Sequence, residues 1–332
     1  MNISRFPRTP LAHLPTPLEP MTGLSKWLGG PKIYIKRDDC TGLATGGNKT
    51  RKLEFLMAHA LDRGADTIIT QGAVQSNHVR QTVAAAARLN LECTVLLETR
   101  VIGASATYNT SGNLLLDGLF GADIRFRDGG TDMDSAMQEV AESVTAAGGT
   151  PYVIPGGGSN RVGALGYVEC ARELTGQISG LGLSFNKIVH ATGSAGTQAG
   201  LAAGLAAMNS NIDLIGISVS DDEKTQVAKV HALASETARF IGVEHGVLES
   251  KIRVNDQYIG DGYGIPTEGM LEAVQNCAQF EGILLDPVYA GKAMAGLIGM
   301  IRCGELSTDD TVVFIHTGGA VALFAYDWLF NS

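Results

Sequence analysis

Short runs of β-branched and apolar residues alternate, along nearly the whole chain, with longer stretches whose apolar positions recur every three to four residues. The short runs predict strands over residues 33–36, 67–70, 93–97, 123–126, 152–154, 188–191, 214–218 and 312–316. The periodic stretches predict helices over 48–63, 77–89, 133–147, 164–174, 197–208, 224–241, 266–280 and 290–301. Several strands are almost continuously apolar, as in Val312-Val313-Phe314-Ile315, which suits burial on both faces of a parallel sheet. Strand–helix alternation of this kind predicts an open, doubly wound α/β architecture. Residues 52–157 hold enough strand–helix units for a sheet of their own. They are expected to form a small α/β domain inserted into a larger one built from residues 1–51 and 158–332. A ligand would then bind between the lobes, at strand C-terminal ends.

Composition narrows the class. The chain has 332 residues, 45% hydrophobic and 18% charged, as in a globular protein with a large core. Its 25 Lys and Arg against 34 Asp and Glu give a net charge of −9, without a basic run. Nucleic acid and anionic membranes are therefore poor partners. The five cysteines, Cys40, Cys93, Cys170, Cys277 and Cys303, lack CxxC spacing, which argues against a disulfide framework or a structural zinc site. No metal site is expected. Five prolines and no apolar run from Met1 to Pro20 do not resemble a signal peptide, and no segment has the length of a membrane span. A cytoplasmic location is the expectation.

The 42 glycines cluster in short runs, several of them directly after predicted strands. Gly46-Gly47-Asn48-Lys49 places a lysine behind a glycine turn at a helix start, where a primary amine can condense with an aldehyde cofactor. The segment Gly42 to Thr50 has one residue too many before its lysine to be a Walker A loop. Gln75-Ser76-Asn77-His78 opens an alanine-rich helix. There Ser76 is either an N-cap or, with the helix N–H groups, a carboxylate site. Gly193-Ser194-Ala195-Gly196-Thr197 does not fit the dinucleotide spacing but offers hydroxyls and N–H groups suited to one phosphate monoester. Tyr263 and Tyr289 lie in turns, and Thr317 ends the most hydrophobic strand.

Together these segments, with Ile35-Lys36-Arg37-Asp38-Asp39 and Leu285-Asp286-Pro287-Val288-Tyr289, resemble the fold-type-II pyridoxal-phosphate enzymes. The similar branch holds 1-aminocyclopropane-1-carboxylate (ACC) deaminase, D-cysteine desulfhydrase and L-cysteate sulfo-lyase, and the resemblance runs over essentially the whole chain. It implies a two-lobed, tryptophan synthase beta-like fold with open, mainly parallel sheets and helices on both faces. It also implies pyridoxal 5'-phosphate as cofactor and a homodimer. By this resemblance Lys49 carries the cofactor aldehyde, and Lys52 helps to hold its phosphate. Backbone groups of Gly193, Ser194, Ala195, Gly196 and Thr197 wrap that phosphate. Asn77 bonds the ring hydroxyl, with Asn48 nearby, while Ser76, Asn77 and His78 receive the substrate carboxylate. Tyr263 and Tyr289 flank the substrate, and Lys49, Ser76, Tyr263 and Tyr289 form the expected catalytic set.

Two positions bear on the branch. The family's deaminases place a glutamate and a leucine where this chain has Ala290 and Thr317. A threonine hydroxyl leaves the ring nitrogen largely neutral, which makes a weaker electron sink than a carboxylate would. That favours a β-elimination over ring-opening deamination. Asp39-Cys40-Thr41-Gly42-Leu43, Ile154-Pro155-Gly156-Gly157-Gly158-Ser159-Asn160, His190-Ala191-Thr192-Gly193 and Ala320-Val321-Ala322-Leu323 resemble the sulfo-lyase more closely. The expected reaction is therefore L-cysteate to pyruvate, sulfite and ammonium, with D-cysteine to pyruvate, sulfide and ammonium as the alternative. Thr41, Ser159, Asn160 and His78 are candidate sulfonate donors. A depressed Lys49 pKa is expected from a water-poor cleft and from the nearby Lys52 cation. A non-catalytic amino-acid-binding protein, needing neither Lys49 nor cofactor, is the reading from a different class.

Overall fold

The computed structural model describes residues 3–101 and 104–330, so residues 1–2, 102–103 and 331–332 of the expected domains lie outside the described residues. The strands are β1 (Leu18–Pro20), β2 (Lys32–Arg37), β3 (Thr67–Ala73), β4 (Glu92–Glu98), β5 (Asp123–Arg127), β6 (Pro151–Val153), β7 (Lys187–Thr192), β8 (Asp213–Ser218), β9 (Arg253–Asn255) and β10 (Thr311–His316). The helices are α1 (Thr22–Leu28), α2 (Asn48–Asp62), α3 (Asn77–Arg88), α4 (Gly112–Leu119), α5 (Met133–Ala146), α6 (Arg161–Gly180), α7 (Gly196–Ala207), α8 (Glu223–Ile241), α9 (Glu268–Glu281) and α10 (Ala290–Arg302). Each strand and helix expected from the sequence is present. The largest difference is α6, which runs past residue 174 to Gly180 because Ile178 is buried and the Gln177 amide is held by the Thr16 carbonyl at 2.9 Å.

One sheet has the order β1-β2-β10-β7-β8-β9 and the other β5-β4-β3-β6. Every pairing is parallel except β1 with β2. Successive side chains on a strand point to opposite faces. Val313 and Ile315 thus enter the core between the sheets, while Val312 and Phe314 enter the core under α9 and α10. In the smaller sheet Ile68 faces the shared core and Ile69 packs with Met133 and Met137 of α5. The central strands of both sheets are therefore covered on both faces, which explains why they read as continuous apolar runs, while edge strand β5 stays largely exposed. The core between the sheets runs from Ile68 and Val95 through Leu53, Leu56 and Val168 to Ile188 and Val313. No helix among the described residues is long and apolar enough to cross a membrane.

Beneath the start of α2 lies a buried ion network. Arg51 donates to Asp38 at 2.8 and 2.9 Å and to Glu173 at 2.9 and 3.0 Å. Lys36 pairs with Glu173 and donates to the Thr16 carbonyl at 2.6 Å, and the Tyr167 hydroxyl donates to Asp38 at 2.6 Å. Arg51 is 1% exposed and Asp38 0%, yet each has several charged or polar partners, so neither charge is left uncompensated.

Candidate active site

The lysine turn is shaped by its glycines. Gly46 and Gly47 take φ of 78° and 134°, which side chains with a Cβ resist. The Thr41 hydroxyl accepts from Gly47 N at 2.8 Å, and Gln81 Oε1 accepts from Thr50 N at 2.9 Å. Held this way, Lys49 in the first turn of α2 reaches into a cavity of about 420 Å³ at the C-terminal ends of β3, β7 and β10. The side chain is only partly enclosed because it lines that cavity. Burial of the amine nevertheless pulls its pKa down to about 8, and contact with Lys52 acts in the opposite direction. The expectation that the Lys52 charge would depress Lys49 is thus corrected. Burial does so, while Lys52 is the partner that is lowered by burial and then by the neighbouring Lys49 charge.

Lys52 lies behind the cavity wall. Its Nζ donates to the Gly157 carbonyl at 3.0 Å and stands 3.4 Å from Ser159 Oγ. Ser159 donates to Ser194 Oγ at 2.9 Å and accepts from Gly196 N at 3.2 Å. A Cβ on Gly196 would stand 2.7 Å from Ser159 Oγ and 2.8 Å from Lys52 Nζ, so only glycine leaves room there. Ala195 holds φ of 69° at the start of α7. An amine, two hydroxyls and backbone N–H groups therefore converge on one helix N-terminus, a donor set suited to a phosphate. Thr197 Oγ1 accepts from Asn48 Nδ2 at 3.0 Å, tying this loop to the lysine turn. These residues fit pyridoxal phosphate, since one cavity combines an amine of depressed pKa with a phosphate-type cradle.

The remaining expected residues come to the same cavity. Gly193, Ser194, Ala195 and Thr197 line it, as do Asn48 and Thr317. The Thr317 carbonyl accepts from Asn48 N at 2.9 Å. Ser76, Asn77 and His78 line it from the start of α3. Ser76 also caps that helix, accepting from Val79 N at 3.2 Å, while still lining the cavity. His78 Nε2 pairs with Thr70 Oγ1 at 2.8 Å. Burial, with Lys49 and Lys52 nearby, holds the His78 ring neutral, well below the usual imidazole range. Tyr263 and Tyr289 also line the wall, their hydroxyls 2.6 Å apart. Burial lifts Tyr289 to about 12 and Tyr263 further above its ordinary value, so both keep their protons.

Two of the sulfonate candidates have other tasks. Thr41 is fully buried against Gly47, and Asn160 caps α6 by accepting from Val162 N and Gly163 N. The sequence reading missed Gln71, Arg100, Asp221 and Lys229, which also line the cavity. Gln71 and Arg100 lie at or just past the C-terminal ends of β3 and β4, where the same rule that found Thr317 would have flagged them. It also missed Asp286, whose carboxylate accepts from Val288 N, Tyr289 N and Ala290 N and so builds the turn that presents Tyr289.

Fold and cavity together define an α/β enzyme organised around an enclosed amine. The chain belongs to the family of pyridoxal-phosphate-dependent enzymes, whose family model, "Pyridoxal-phosphate dependent enzyme", matches residues 10–318. It is 49% identical over 325 residues to D-cysteine desulfhydrases of Salmonella newport and Salmonella typhi, covering 98% of this chain and 98% of each relative. A crystal structure of an ACC deaminase homologue superposes with a TM-score of 0.89 at 38% identity, over 98% of this chain and 96% of that one. The fold is that of the type II members, and the cofactor is pyridoxal phosphate.

Proposed function

We propose that the chain is a carbon–sulfur lyase that removes the β-sulfur substituent of a small amino acid, giving pyruvate and ammonium. Pyridoxal phosphate, when bound, supplies an aldehyde for the lysine amine and an electron-withdrawing ring. The observation that carries the reading is Lys49 Nζ, enclosed and lowered to about 8, in the same cavity as the Gly193–Thr197 cradle. An amine with that proton affinity exchanges a proton near neutral pH, so Lys49 Nζ takes the substrate α-proton. The Ser76 hydroxyl and the first N–H groups of α3 receive the substrate carboxylate. Tyr263 and Tyr289, both protonated, supply a hydroxyl donor for the departing sulfur.

Substrate choice turns on charge. Arg100 is paired with Glu98 at 2.5 Å and Lys229 with Asp221 at 2.7 Å. Among the described residues, every charged side chain lining the cavity except Lys49 is thus already matched. A neutral thiol suits that wall better than a sulfonate, which keeps a full negative charge and requires an unpaired cation. We therefore take D-cysteine as the substrate, with sulfide as the sulfur product, in line with the relatives at 49% identity. L-cysteate is the second reading, favoured by Arg100, whose guanidinium lies 5.6 Å over the Tyr263 ring at the cavity. The same proposal carries a homodimer, which sedimentation of the loaded enzyme tests. Incubating the enzyme separately with D-cysteine, L-cysteine and L-cysteate, and measuring pyruvate with sulfide or sulfite, tests the chemistry. Pyruvate with sulfide from D-cysteine alone is the expected result. Pyruvate with sulfite from L-cysteate would install the second reading, and no pyruvate from any of the three would end both.

A further inference from the structure

Arg80 of α3 is fully buried and, among the described residues, hydrogen-bonds to no carboxylate. Its guanidinium donates to Asn77 Oδ1 at 3.0 Å, to Asn113 Oδ1 at 2.6 Å and to the Gly46 carbonyl at 2.7 Å. Asp117, one turn beyond Asn113 on α4, is also buried, without a hydrogen bond to either carboxyl oxygen among the described residues. Burial pushes its pKa up to about 8 against the opposing pull of Arg80, so it is largely protonated near neutral pH. One side chain therefore ties together the turn before Lys49, the first residue of α3, and α4.

A guanidinium has only donors. The atom of Asn77 that meets it must be the amide oxygen, which fixes which way the amide faces. Its nitrogen is directed elsewhere, and a Cβ on Gly319 would stand 2.6 Å from it. Gly319 follows Thr317 by two residues, and Asn77 lines the cavity beside Lys49 and Thr317. The titratable groups around this amide are Arg80, bonded to it, Asp286, which approaches the same Cβ position on Gly319, Lys49, which lines the cavity beside it, and Asp117, which faces Arg80 from α4.

We infer that Arg80 is a positioning residue that fixes Asn77 Nδ2 as a donor toward the ring oxygen of bound pyridoxal phosphate and links that donor to α4 through Asn113. The inference rests on the cofactor assignment above. A donor at that oxygen favours its deprotonated form, and losing the donor raises the pKa of the ring hydroxyl. The cofactor's visible absorbance reports that proton directly, which a merely structural arginine would not move.

The test loads the full-length parent, Arg80→Lys and Asn77→Asp with pyridoxal phosphate and follows their visible spectra across pH. Lysine keeps the charge but not the fork that reaches three acceptors. In Arg80→Lys the long-wavelength band at neutral pH should fall by about half or more, and its midpoint should rise by about one pH unit. In Asn77→Asp the new carboxylate, held by Arg80, offers the ring only acceptors, so the change should have the same sign and be larger. A colourless parent would sink the cofactor assignment itself. A coloured parent whose two variants keep its band and midpoint, with only melting temperature lowered, overturns the role given to Arg80. Should Arg80→Lys not fold, an unshifted Asn77→Asp spectrum overturns it alone.

Discussion

Helix α2 carries basic side chains into two settings with opposite electrostatics. On one side Arg51 is enclosed among Asp38, Glu173 and Thr16, and its charge is held well above the ordinary proton affinity of arginine. On the other, Lys49 and Lys52 have no carboxylate partner among the described residues, and burial lowers both. The residues are neighbours in sequence, so the difference lies in what the fold brings to each face. A matched ion cluster fixes the helix in place, while an unmatched amine keeps its lone pair available. The arrangement separates stability from reactivity within one turn of helix.

Removing the reactive side should have the largest effect. Lys49→Ala should lower pyruvate formation by about 10³-fold or more, with little change in melting temperature. A variant retaining more than about a tenth of parent turnover would show that the amine is not the base. The matched side should fail in the opposite manner. Asp38→Ala leaves the Arg51 cation short of its main partner and should cost about 3–5 kcal/mol of stability, read by denaturant unfolding. A loss below about 1 kcal/mol would mean that Glu173 alone satisfies Arg51. A finer test uses pH. With Lys49 lowered from 10.5 to about 8, the unprotonated fraction grows as pH rises and saturates above that value. The rate at which cofactor-free protein captures pyridoxal phosphate should therefore climb about tenfold per pH unit below 8 and level off above it. A rate still rising at the same slope beyond pH 9 would contradict the depressed value. Smallest is the cap: Ser76→Ala should cost about 1 kcal/mol of stability together with a raised KM, measured by melting and by initial rates. Stability loss with unchanged KM would leave Ser76 a cap and nothing more.

Most of the fold was legible because strands covered on both faces are continuous apolar runs, as at Val312 to Ile315. What escaped were β1 and β9, three residues each at the sheet edges, and α1 and α4. β1 ends on Pro20, and α4 contains Gly112 and Gly118, so neither carries a strong local preference. The site loops were found because each joins a strand end to glycines or hydroxyls. Arg80 and Arg51 were not given roles, because nothing local separates a buried arginine from an exposed one. Their partners lie far along the chain, at Asn113 and Gly46 for the first and at Asp38 and Glu173 for the second. Only the three-dimensional pairing decides their chemistry.

The proton affinity of Lys49 also has a consequence for handling the protein. At pH 7 an amine of that kind is unprotonated roughly a tenth of the time, against well under a thousandth for a lysine in water. Cyanate, acyl phosphates and stray aldehydes should therefore label position 49 before any surface lysine, and bound cofactor should shield it. A mass-mapped competition between cyanate and pyridoxal phosphate would count the filled sites in any preparation without measuring turnover.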